Sequence, residues 1–177
     1  MSAISEQMDG FLRICVPYIV MFILFIFNMV FFSTPLSTTI EIPFVVMVVY
    51  YWSIYRPTLI PPLLVFIVGL CLDFISGFPV GLSSFVFMVI RKVVSEQRLF
   101  LTGQPFMVIW LGFAVVSTIG ALTQWFLFGL MHVYWTPIQP VNFTIVAGIL
   151  LFPVIALFLN LSHRVLPLLP DQYSAVK

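Results

Sequence analysis

Long apolar runs alternate with short polar breaks along the whole chain. The runs cover about 14–32, 43–55, 58–75, 80–94, 105–131 and 141–161, and each predicts a membrane-crossing helix. At ~1.5 Å per residue the first run reaches about 28 Å, enough to cross. The second is short, so it must tilt little, thin the bilayer or be shielded by neighbours. Pro43 suits its first turn, and Arg56-Pro57 closes it. Tyr50, Tyr51, Trp52 and Tyr55 near its end predict an aromatic belt at the headgroup level. The third run opens at Thr58 with Pro61-Pro62 in its first turns. After the fourth, Arg91 to Arg98 is the most charged segment and is expected to leave the membrane. Ser33–Thr39 reads as a loop, and His132–Pro140 as an interfacial loop anchored by Tyr134 and Trp135. The sixth run contains Gly148 and Pro153.

Composition agrees with that pattern. Of 177 residues 62% are hydrophobic and 7% charged, against roughly 25% charged in soluble domains. The expected fold is an all-α integral membrane protein, one six-helix domain over residues 1–177. Charge then sets its orientation. With both termini in the cytoplasm, the inner segments hold Arg13, Arg56, Arg91, Lys92, Arg98, Arg164 and Lys177. Those are all seven basic residues of the chain, as the positive-inside rule requires. They form no basic stripe, which excludes a nucleic-acid partner. The cluster Arg91, Lys92, Arg98 either sets topology or holds anionic membrane lipid. Cys15 and Cys71 lie inside apolar runs and read as small buried hydrophobes without a disulfide. Neither a metal-ligand spacing nor a cofactor motif is present, so no metal and no cofactor is expected. The apolar run after Arg13 is too long for a signal peptide and reads as an uncleaved first helix.

One stretch departs from the pattern. Gly69-Leu-Cys-Leu-Asp-Phe-Ile-Ser-Gly-Phe-Pro-Val-Gly81 carries Asp73, an acid inside apolar sequence. A carboxylate at bilayer centre costs about 2.5–3.5 kcal/mol on insertion scales, so it seldom sits there unpartnered. Gly77, Pro79 and Gly81 are what a sharp turn between two helices uses. Asp73 is expected near that turn. In the fifth run Gly112, Ser117, Gly120, Ala121 and Gln124 share a helical face. That face is either a packing seam or one wall of a ligand cavity. Glu41, Asp73 and His132 are expected on the outer side, where an acid–His pair would be needed for hydrolytic chemistry. No serine or cysteine beside them has a nucleophile context, so the chain reads as a non-enzyme.

These residues also carry a family resemblance. Trp52 with Arg56-Pro57, then Gly69-Leu-Cys-Leu-Asp73, then Gly77-Phe-Pro-Val-Gly81, then Gln97-Arg98 before Pro105 resemble the MreD family of bacterial rod-shape-determining membrane proteins. The match spans about residues 50–106. The resemblance implies an inner-membrane, non-catalytic component of the peptidoglycan elongation (rod) complex. Its partners would be MreC, with MreB, a RodA-type polymerase and a class B penicillin-binding transpeptidase in the wider assembly. The fold would be similar to the substrate-binding component of energy-coupling-factor transporters. An alternative function follows from that similarity: vitamin-type small-molecule capture, with Asn28, Gln124, His132 and Asn142 as candidate pocket groups.

Overall fold

The second helix, shortest of the apolar segments by sequence, is the one the others surround. In this computed structural model, which describes residues 18–29, 43–132, 135 and 137–164, every element among those residues is helical. The helices are α1 (Tyr18–Met29), α2 (Phe44–Tyr55), α3 (Pro62–Ser76), α4 (Leu82–Thr102), α5 (Phe106–His132) and α6 (Gln139–Arg164). Cys15, the 33–39 loop, Glu41, Tyr134, the side chain of His132 and the charged groups Arg13, Arg164 and Lys177 lie outside the described residues.

Ten of the twelve residues of α2 are buried. It packs against α4, α5 and α6, and Phe44 meets Phe27 of α1 with ring centroids 6.4 Å apart. Its neighbours therefore shield this short apolar helix along most of its length. The aromatic belt is corrected by this placement. Tyr50, Tyr51 and Trp52 are all core residues, and only Tyr55 is half-buried. The Tyr50 ring stands edge-on to Phe113 and Phe152 at 5.4 and 5.7 Å. Its hydroxyl donates to the Ile109 carbonyl at 2.9 Å. Burial of a tyrosine needs such a partner for its hydroxyl, and a headgroup position does not.

Helix ends also differ from the apolar runs. Residues 58–60 form a turn, Pro61 is the N-cap and α3 begins at Pro62, where a missing N–H costs nothing. α4 begins at Leu82 and continues through the charged segment to Thr102, so residues 91–98 stay helical. Arg91 is half-buried, and its guanidinium donates to the Ile60 carbonyl at 2.7 Å and the Pro57 carbonyl at 3.3 Å. It ties the 57–60 turn to α4. Cys71 is exposed, which corrects its reading as a buried hydrophobe.

α5 and α6 are long and apolar enough to cross a bilayer: Phe106–Met131 and Gln139–Leu161. Only 22% and 28% of their most apolar windows are buried, so neither resembles the core helix of a soluble protein. Leu111, Val115, Ile119, Leu122, Phe126 and Leu130 form an exposed apolar stripe along α5. Pro153 sits inside α6 and has no N–H to offer the Ile149 carbonyl. Trp110 of α5 supplies the donor instead: its Nε1 reaches that carbonyl at 2.9 Å. Trp110→Phe is expected to cost about 1–2 kcal/mol, the scale of an unsatisfied acceptor. Adding Pro153→Ala should shrink that cost, because the alanine N–H restores the helical bond. Thermal unfolding of the two single variants and the double variant checks this.

Candidate functional site

The α3–α4 hairpin is organised by Asp73 through both its backbone and its side chain. Its carbonyl accepts the N–H of Gly77 and, at 3.1 Å, that of Phe78. The second bond spans six residues and closes the last turn as a Schellman-type end. Gly77 takes φ 70°, the left-handed conformation this ending needs. Gly81 takes φ 97° and caps the start of α4, with no side chain of its own to offer. The Asp73 carboxylate fills that vacancy. Oδ2 accepts the Gly81 N–H at 2.8 Å. Oδ1 and Oδ2 accept the Ser83 N–H at 3.0 and 3.2 Å. An acid from the preceding helix thus acts as the N-cap of α4, facing the positive end of its dipole.

Asp73 is 0% exposed. Desolvating a carboxylate is tolerated only with such partners. The geometry makes it a structural lock, with its oxygens already committed to amides. Pro79 lies inside the turn, where its carbonyl accepts the Leu82 N–H at 3.1 Å; it is not in the first turn of α4.

Gly69 has a different role from the two turn glycines. A Cβ there would lie 2.5 Å from Ser84 Cα and 2.7 Å from Ser84 N. It marks a close approach of α3 and α4. Ser84 Oγ bonds the Phe66 carbonyl at 3.0 Å beside that contact. By contrast nothing lies within 4 Å of a Cβ at Gly77 or Gly81. For an added Cβ their requirement is therefore conformational, since both glycines take positive φ. Gly77→Val is expected to cost about 1–2 kcal/mol, and Gly77→Asn clearly less, since asparagine tolerates the left-handed region. Chemical denaturation of both variants in detergent measures the difference.

The seam on α5 packs against its neighbours and also borders a small cavity. A Cβ at Gly112 would fall 2.6 Å from the Tyr50 hydroxyl, and one at Gly120 would fall 2.9 Å from Ile90 Cδ1. Both are packing contacts. Ser117, Gly120, Ala121 and Gln124 also line a cavity of about 80 Å³ to which all six helices contribute, with Asn28, Ser76, Ser83 and Thr144 among its polar groups. Gln124 Nε2 donates to Ser83 Oγ at 3.2 Å, joining the seam to the first turn of α4. Ligand pockets usually measure about 300–1,000 Å³. This space suits a few waters.

No family model, curated protein or solved structure matches the chain. Asp73, Gly77, Pro79, Gly81 and Gly69 come together in one hairpin. Trp52, Arg56 and Pro57 belong to the other end of α4's packing, where Trp52 and Arg56 are buried and Pro57 accepts from Arg91. Arg98 and Pro105 are exposed. Asn142 is exposed and does not line the cavity that Asn28 and Gln124 share. Among the described residues no group of three or more His, Cys, Asp or Glu is placed to hold a metal. Sequence reasoning missed Trp110 and did not find the packing roles of Tyr50 and Arg91. Trp110 had a signal in Pro153, whose missing N–H leaves a carbonyl in need of a donor.

Proposed function

We propose that this chain is a multi-pass protein of the bacterial inner membrane, of the MreD type, that serves the rod complex as a non-catalytic structural component. In this reading six helices cross the membrane, both termini are cytoplasmic and the Asp73 turn faces the periplasm. MreC is its immediate partner, within an assembly containing MreB, a RodA-type polymerase and a class B transpeptidase.

The observation that carries the reading is the engagement of Asp73. The most distinctive polar residue of the chain caps a helix, and the glycines around it serve a turn and a close helix crossing. Such a site shapes a surface; it holds no reacting group. The exposed apolar faces of α5 and α6 support a lipid environment. The positions of all seven basic residues support the orientation. The cavity near the turn, at about 80 Å³, is too small for a vitamin-sized ligand and weakens the capture reading.

Affinity purification from native membranes tests the proposal. MreC should co-purify with the wild-type chain and be reduced with Asp73→Leu. Recovery without MreC, or with equal MreC on both, would refute it.

A further inference from the structure

We propose that a second hollow, between α2, α5 and α6 at the cation-bearing end, binds one membrane phospholipid through its phosphate and ester oxygens. The inference rests on the membrane reading above and is independent of the partner assignment. The hollow measures about 470 Å³, within the usual range of ligand sites. Tyr51, Gln104 and Asn160 line it with polar groups, and Phe152, Ala156 and Leu157 with apolar ones.

Tyr51 is the key group. It is only 4% exposed. Its ring is fixed edge-on to Trp52 at 5.6 Å and tilted over Tyr55 at 4.6 Å. Among the described residues no hydrogen bond engages its hydroxyl, nor the side-chain amides of Gln104 and Asn160. Gln104 is half-buried and Asn160 exposed, and the Tyr51 hydroxyl is not among the buried atoms without a partner, so all three reach the surface of the hollow. A donor held in place on an unfilled space points to a ligand with acceptors. Leu157 is 67% exposed, so the hollow opens sideways along α6 towards the lipid phase. A ligand must then present acceptor oxygens at one end and hydrocarbon at the other. A phospholipid does both; water supplies only the first.

The three donors are uncharged. They recognise phosphate and ester oxygens, which all phospholipids share, and do not select an anionic head group. That separates this site from the cations Arg91, Lys92 and Arg98, which would favour anionic lipid.

Native mass spectrometry of the full-length protein tests the site. The protein is delipidated in mild detergent and offered equal phosphatidylglycerol and phosphatidylethanolamine. One lipid should be retained per chain, with little preference between the two. Tyr51→Phe, which removes one oxygen, should weaken retention about tenfold, as loss of one hydrogen bond does. Ala156→Phe should fill the hollow and abolish it, while Val89→Phe, on the exposed face of α4, should change nothing. No retained lipid, retention unaltered by Tyr51→Phe and Ala156→Phe, or strong selection of phosphatidylglycerol would each overturn the proposal. An alkaline carbonate wash is run alongside. Protein that stays in the membrane but binds no lipid sinks this site alone; protein released by the wash sinks the membrane reading too.

Discussion

Gly69→Ala is expected to destabilise the protein more than any other added methyl group in the α3–α4 hairpin. The added Cβ would stand 2.5 Å from Ser84 Cα and 2.7 Å from Ser84 N. Those are backbone atoms of an adjoining helix, and they cannot rotate away. The two helices must move apart, which loosens the Ser84–Phe66 hydrogen bond and the packing around it. Overpacking of this kind costs about 1–3 kcal/mol and sometimes more. Gly120 gives the contrast. Its added Cβ would meet Ile90 Cδ1 at 2.9 Å, the far end of a flexible side chain, so Gly120→Ala should cost less. Ser84→Ala should not rescue Gly69→Ala, because removing Oγ leaves the Cα and N contacts in place. Thermal unfolding midpoints in detergent rank the variants. A midpoint for Gly69→Ala equal to wild type would show that α3 and α4 do not cross there.

Asp73→Leu carries the second large effect. It leaves the Gly81 and Ser83 amides without their acceptor, with Ser83 buried and Gly81 half-buried. Each unsatisfied buried donor costs about 1–3 kcal/mol. Loss of a negative charge at the positive end of α4 adds about 0.3–2 kcal/mol. Asp73→Leu should therefore lose about 3 kcal/mol or more, a large share of a typical 5–15 kcal/mol stability. Asp73→Asn keeps one oxygen that can accept and should fall between Leu and wild type. Under the proposed rod-complex role the same order is expected in a cell-shape complementation assay, with Asn retaining more function than Leu. Equal performance of Leu and wild type would remove Asp73 from the fold and from the function.

Legibility differed by element for physical reasons. α5 is read almost to the residue, because its apolar run and its helix have the same bounds to within a residue. The Asp73 turn is visible because glycines at positive φ and an acid in apolar sequence are both costly without a purpose. The start of α3 is misplaced at Thr58 because apolarity continues through a turn that prolines and Arg91 define. The charged half of α4 stays helical because charge ends an apolar run without ending a helix. Tyr50, Tyr51 and Trp52 are misread because an aromatic cluster beside an arginine has the same composition in a core as at an interface. Only packing separates those two, and the partners Ile109, Phe113 and Phe152 are more than fifty residues away. Gly69 belonged to the motif by pattern, but its role as a crossing point depends on Ser84 in the next helix.

Hydrogen exchange at the start of α4, followed in lipid nanodiscs, tests the central claim most directly. In the wild-type protein the Gly81 and Ser83 amides should be protected, although an ordinary helix leaves its first amides without an intrahelical acceptor. In Asp73→Leu both should exchange at least tenfold faster while the middle of α4 stays protected. Fast exchange at these two amides in the wild type, or unchanged protection in Asp73→Leu, would contradict the carboxylate lock.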